Sequence, residues 1–242
     1  VDPDRFSNLQ ISGHVSWATY SRFLIGEVLP AKSSLALYLD ADLIVMGSLA
    51  GLWSSDDLGG GQGWIVKAVT RDKGQHLRQF GFKGPQYFNA GVLLIHLNRW
   101  RKEGVQSKLF VRGGELLGKL HLWDQDVLNL VLEGAWEELP PEFNETGQVF
   151  DSGNVRVVHF VGRLKPWMFG GAHPLRKEYR KFRSLTPFWP FMLGGFWRYL
   201  RKRIVPRPLQ KPRKLLRRLI RHTSRMLSSI LTGIRPRQSK DG

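Results

Sequence analysis

Residues 91–97 read Gly-Val-Leu-Leu-Ile-His-Leu, and Asn98-Arg99-Trp100 follows at once. A continuous apolar run of this length, stopped abruptly by polar residues, has the signature of a strand buried on both faces. Working outward, residues 34–39 form a second such run, ending in Asp40-Ala41-Asp42; residues 64–69 and 155–160 form two more. Between the runs, residues 18–29 and 124–133 carry helical spacing, the first stopping before Pro30, and Gly59-Gly60-Gly61 and Gly113-Gly114 read as loops. Strands alternating with helices predict an α/β fold built on a mostly parallel, three-layer sheet. Ligands in such sheets sit beyond the carboxyl ends of strands, so the polar residues that close each run are the first to consider.

Composition excludes several classes of protein. Among 242 residues there is no Cys, which rules out a disulfide scaffold, a thiolate metal site and a cysteine nucleophile. No stretch reaches the roughly 18–20 apolar residues of a membrane span. Residues 1–10 are polar, unlike a signal peptide, and the chain opens at Val1 in mid-pattern, as a fragment would. The net charge of +17 is divided unevenly. Residues 1–162 hold 15 Lys/Arg and 18 Asp/Glu, a balance of −3, whereas residues 163–242 hold 22 and 2, a balance of +20. A mildly acidic body with a strongly basic tail predicts a polyanionic partner for the tail.

Four constellations could carry chemistry. In Leu37-Tyr38-Leu39-Asp40-Ala41-Asp42-Leu43-Ile44-Val45, two carboxylates at i and i+2 share one side of an extended segment. Between apolar runs they need a partner, and two hard oxygens suit Mn²⁺ or Mg²⁺; alternatively one caps a turn and the other is solvated. Tyr87-Phe88-Asn89-Ala90-Gly91 places an amide before a buried strand, where it can meet a sugar hydroxyl or simply make a turn. Trp123-Asp124-Gln125-Asp126 heads a helix, and Asp124 alone reads as an N-cap. His159-Phe160-Val161-Gly162-Arg163-Leu164-Lys165 puts an imidazole at a strand end and an ammonium a few residues on, a ligand pair or a structural His with a surface Lys.

In combination these blocks resemble glycosyltransferase family 8, the retaining nucleotide-sugar transferases that include lipopolysaccharide glucosyl- and galactosyltransferases. The residues that carry the likeness are YLDAD at 38–42, YFNAGVLLIHLNRWR at 87–101, WDQDVLN at 123–129, HFVGRLKPW at 159–167 and HVSWATYSRFLIGE at 14–27. The resemblance implies a GT-A-like fold over residues 1–185. It implies that Asp40, Asp42 and His159 coordinate Mn²⁺, or Mg²⁺, holding the diphosphate of a UDP-hexose donor. Lys165, with the backbone near Gly162, and His14 would neutralise the leaving diphosphate. Arg22, Asn89 and Asp124 would grip the hexose, and Gln125 would face the anomeric carbon opposite the leaving group. Gln125 is a neutral amide and a poor nucleophile, which favours front-face attack over a covalent intermediate. The family opens with an apolar strand and an Asp-containing nucleotide-binding segment; residues 1–13 do not match it, so the expectation is an N-terminally truncated catalytic domain with weak affinity for UDP.

Residues 186–242 differ in kind. An aromatic stretch at 187–197 is followed by Arg201-Lys202-Arg203, and residues 213–231 carry helical periodicity with apolar residues in an arc of about 160° opposite a basic face. This predicts a basic amphipathic helix on an anionic membrane surface, through residues 200–242. A nucleic-acid role would leave the apolar face exposed and is disfavoured. A terminal helix docked on the body is the structural alternative. The whole predicts a metal-dependent hexosyltransferase, peripheral on the inner face of a bacterial plasma membrane, acting on a lipid-linked saccharide such as the lipopolysaccharide core; the competing expectation is an inactive remnant or polyanion-binding module.

Overall fold

A four-stranded sheet carries the molecule's main core, its strands ordered β1-β4-β3-β5, where β1 is Leu35–Leu39, β3 Val66–Asp72, β4 Tyr87–His96 and β5 Trp136–Glu138. A second sheet pairs β2 (Leu43–Val45) with β6 (Val157–His159). The computed structural model describes residues 2–11, 16–53, 64–147, 154–162, 165–168 and 173–187. The chain divides into two units, Val1–Pro166 with Ala172–Tyr179, and Trp167–Gly171 with Arg180–Gly242. The fold presented is that of the first; of the second, the described part continues a basic helix to Ser184. The expected tail helix at 213–231 lies outside the described residues, as does His14.

The α/β class holds, but the expected mostly parallel sheet does not hold among the described strands. β4 runs antiparallel to both β1 and β3, β2 is antiparallel to β6, and only β3 with β5 is parallel. The reason lies in what an apolar run reports. Every residue of β4 is buried, and a run buried on both faces looks the same in either direction. The link from β3 to β4 holds a short 3₁₀ turn, Gln75–Phe80, rather than a crossover helix, so the chain returns antiparallel.

The described α-helices between Ile25 and Val131, with the 3₁₀ segment that leads into them, all contribute to one core, whereas the last described helix reaches a separate cluster through Tyr179. A 3₁₀ segment, Trp17–Leu24, runs into α1 (Ile25–Val28); α2 (Leu97–Lys102) follows β4 directly, then α3 (Val105–Glu115) and α4 (Trp123–Val131), with α5 at Arg176–Ser184. The strands alternate between two cores: Ala36 and Tyr38 meet the large cluster built on Tyr20, Phe23, Trp100, Leu109 and Leu128, whereas Leu37 joins Leu52, Val69, Leu139 and Phe143. Gly113 and Gly114, expected in a loop, lie inside α3. Gly113 is buried, and a Cβ there would stand 2.6 Å from Leu9 Cδ2. The pair permits close packing and does not break the helix.

One irregularity positions several candidate site residues. Pairing of β3 with β4 is regular up to Ala68 opposite Leu93, then slips so that Thr70 lies opposite Phe88. Residues 89–91 of β4 therefore lie where the β3 ladder is interrupted, and their main-chain groups need other partners. Side chains supply them. Ala90 N donates to Gln125 Oε1 (2.9 Å) and Ala90 O accepts from Arg22 Nη1 (2.6 Å). Asn129 brackets Phe88, accepting from its N–H (2.8 Å) and donating to its carbonyl (3.0 Å).

Candidate active site

β1 ends at Leu39, and the turn into β2 carries Asp40 and Asp42 while β6, paired with β2, ends at His159. That pairing brings the three side chains together: one ligand atom from each lies within 4.8 Å of the others. His159 Nε2 is 3.2 Å from Asp42 Oδ1 and 3.7 Å from Asp40 Oδ2. Lys165 Nζ donates to Asp42 Oδ2 and, at 2.7 Å, to Phe160 O. Burial works against the Asp42 carboxylate, but His159 and Lys165 outweigh it and hold its pKa far below the usual range. Two carboxylates and an imidazole form a donor set that fits a divalent cation, with Asp40, Asp42 and His159 as its holders. Gly162 has φ 83°, a left-handed angle that favours glycine, and lines the same cavity.

Arg22 is buried and already committed to the protein. Its Nη2 donates to Asp40 Oδ1 at 2.7 Å, its Nε lies 2.9 Å from Asp124 Oδ2, and its guanidinium stacks over Tyr38 at 4.4 Å. It joins the carboxylate of Asp40 to the one at the head of α4. Burial would lower its pKa, but Asp124 and Asp40 reverse the sign. Asp124 is not the N-cap that its position suggested: Leu122 holds that place, and Asp124 accepts from Thr19 Oγ1 at 2.9 Å. Burial pushes the Asp124 carboxyl above its ordinary value against the pull of Arg22. Its Oδ2 is buried without a well-aligned donor, despite the proximity of Arg22.

Gln125 is locked at both ends. Its Oε1 accepts from Ala90 N, which fixes the other end as the nitrogen, and that donates to Tyr87 Oη at 2.9 Å. Tyr87 in turn donates to Asp126 Oδ1 at 2.7 Å. Asp126 is fully buried and also accepts from His121 N and Leu122 N, so it is a structural anchor. Just ahead of both, Trp123 holds φ 45°, a non-glycine in left-handed backbone at the start of α4.

A cavity of about 410 Å³ takes in Asp40, Asp42, His159, Lys165 and Gly162 together with Arg22, Asn89, Asp124 and Gln125. The structure thus gathers every expected site residue except His14. Asn89 is not in a turn but inside β4, and its Oδ1 accepts from Gly91 N and from Asn144 Nδ2. Only its amide nitrogen, which bonds no described residue, is left for a ligand. Gly91 is there for close approach: a Cβ would lie 2.0 Å from His159 Cε1. Lining residues that the sequence reading did not single out include Thr19, Arg71, Asn144, Thr146 and Thr70, whose Oγ1 is buried without a partner among the described residues. Asn144 carries a weak signal, as an amide among Pro140, Pro141 and Phe143; Thr70 carries none.

Comparison with known proteins agrees with this geometry. The model described as "Glycosyl transferase family 8" matches residues 5–170. General stress protein A of Bacillus subtilis is 30% identical over 209 residues, covering 77% of this chain and 71% of the relative. Lipopolysaccharide 1,3-galactosyltransferase of Salmonella typhimurium is 28% identical over 206 residues, covering 78% of this chain but only 60% of the relative's own length. The crystal structure of galactosyltransferase LgtC in complex with donor and acceptor sugar analogs superposes with a TM-score of 0.63 at 26% identity, covering 77% of this chain and 74% of that one.

Proposed function

The chain belongs to glycosyl transferase family 8, and on that premise we propose that it transfers glucose or galactose from a UDP-sugar, with retention and metal dependence, to a lipid-linked saccharide such as the lipopolysaccharide core. The observation that carries this reading is the single cavity in which Asp40, Asp42, His159 and Lys165 adjoin Asp124 and Gln125. A bound Mn²⁺ or Mg²⁺ would supply neutralisation of diphosphate charge. The protein supplies the rest. Lys165 offers an ammonium to the leaving phosphate, in competition with Asp42. Asp124, held by Thr19 and Arg22, lends its negative charge to the cavity wall where the hexose would lie, and the Asn89 amide nitrogen can donate to a hexose hydroxyl.

In the transfer, the bond from the anomeric carbon to the phosphate oxygen breaks and one to the acceptor oxygen forms. The acceptor proton passes to the departing phosphate, which leaves as UDP. Front-face attack suits Gln125, because the carbonyl oxygen that would have to act as nucleophile is already accepting from Ala90 N. Its fixed dipole can instead face the positive charge that develops on the sugar. A glycosyl adduct trapped on Gln125 or Asp124 would refute this step.

Attachment to an anionic membrane through residues 200–242 is part of the same proposal, supported by the +20 balance of residues 163–242. No helix among the described residues is long and apolar enough to cross a membrane. The test of function is release of labelled hexose from UDP-glucose and UDP-galactose with and without Mn²⁺. The wild type should show Mn²⁺-dependent release, and Asp42→Asn should fall by at least about a hundredfold. Equal rates in the two proteins would end the metal assignment.

A further inference from the structure

The hydrogen bonds behind His159 leave its imidazole a single arrangement. Gly91 N can only donate, and it points at Asn89 Oδ1 from 2.9 Å, so that atom of Asn89 is the oxygen. Asn144 meets the same oxygen at 2.9 Å and must present its amide nitrogen there. The other end of the Asn144 amide is then the oxygen, and it lies 2.9 Å from His159 Nδ1. That ring nitrogen therefore carries the hydrogen. All three side chains are buried, Asn89 at 8%, Asn144 at 3% and His159 at 4% exposure, so water cannot substitute for a lost partner. A hydrogen on Nε2 alone would set the Nδ1 lone pair against the Asn144 oxygen. The amide cannot turn over to relieve that contact, because its nitrogen is held by Asn89 and Asn89 by the main chain.

From this relay we propose that Asn144 is a positioning residue, holding His159 as the Nδ1–H tautomer so that the Nε2 lone pair faces the cation between Asp40 and Asp42. The proposal rests on the metal reading of those three residues. The other donors to the two carboxylates leave the oxygens nearest Nε2 to the cation, Asp42 Oδ1 at 3.2 Å and Asp40 Oδ2 at 3.7 Å. Asp40 accepts from Arg22 (2.7 Å) and from Tyr38 Oη (2.8 Å), and Asp42 accepts from Lys165. Asn144 is itself held by the backbone: its N–H donates to Pro141 O at 3.0 Å, and the next residue, Glu145, pairs with β6 through the 2.9 Å bond of Glu145 N to Val157 O. Gly91 completes the seat, lending its N–H to the relay and its bare Cα to the ring. Through Asn144 the hexose-facing amide of Asn89 and the metal-facing imidazole form one rigid unit, as outer-shell partners of metal ligands do.

Two measurements on the full chain test this. In ¹⁵N-labelled, metal-free protein the His159 ring is assigned by its loss in His159→Ala, then observed above its own titration midpoint. The expected spectrum has Nδ1 protonated and Nε2 bare; a hydrogen on Nε2 would overturn the proposal. Separately, Mn²⁺ alone is titrated by electron paramagnetic resonance into the wild type and Asn144→Ala. The variant should bind Mn²⁺ about ten- to a hundredfold more weakly at an unchanged melting temperature. Equal affinities would overturn the proposal. A wild type that binds no Mn²⁺ would refute the metal reading instead, while the ring spectrum still judges the tautomer. Should Asn144→Ala not fold, the wild-type spectrum alone decides.

Discussion

Asp42 and Gln125 show how single side chains are tuned by what touches them. Asp42 has a lowered pKa in the folded protein, so on acidification the unfolded chain takes up the proton first. Its contribution to stability is present above the ordinary carboxylate value near 3.8 and is lost as pH falls further toward the folded value. In metal-free protein, wild type should exceed Asp42→Asn in urea midpoint near neutrality, and the gap should narrow below about pH 4. A gap that widens on acidification would mean that Lys165 and His159 do not hold this carboxylate. Gln125 is tied to structure as well as to chemistry. Gln125→Ala leaves Ala90 N, inside the interrupted ladder, without its acceptor. It should cost about 1–3 kcal/mol in urea unfolding in addition to activity. A loss of activity with no change in stability would show that the Ala90 bond contributes nothing.

At the scale of elements, the strands were legible as apolar runs, but their direction and the use of their glycines were not. Burial on both faces of β4 is written in residues 91–97, yet nothing in that run says which way its neighbours point. A turn was the alternative reading of the stretch around Asn89; in the fold the buried strand begins earlier, at Tyr87, and takes in Asn89, where a slip in pairing frees the main chain to bind Gln125 and Arg22. A register slip is a property of two strands together and leaves no mark on either alone. The same holds for Arg101, which donates to the carbonyls of Gly26, Leu29, Pro30, Ala31 and Ser33 and so closes the end of α1 from across the fold. Gly91→Ala tests the element directly. The added methyl must displace the His159 ring, so the variant should lose about 1–3 kcal/mol and its Mn²⁺ affinity together. If Mn²⁺ binds unchanged, the ring is not seated on Gly91.

For the molecule as a whole, the division into an acidic body and a basic tail was plain in the charge count, and most residues that share the cavity stood in the quoted motifs. What the motifs could not convey is that Arg22 spends its guanidinium on Asp40 and Asp124, or that Asn89 keeps only its amide nitrogen for a ligand. Those facts arise from residues far apart in sequence. Deleting residues 200–242 should abolish sedimentation with anionic vesicles while leaving Mn²⁺ binding intact, and wild-type binding should weaken with salt. Sedimentation that survives the deletion would remove the tail from membrane attachment. The central claim is that Asp40, Asp42 and His159 hold a divalent cation that in turn holds a UDP-hexose. Calorimetric titration of UDP-glucose and UDP-galactose into wild type and Asp42→Asn, each with and without Mn²⁺, tests it most directly. Binding of at least one donor by the wild type only when Mn²⁺ is present, and by Asp42→Asn under neither condition, is the expected result; donor binding that is indifferent to both Mn²⁺ and Asp42 would contradict it.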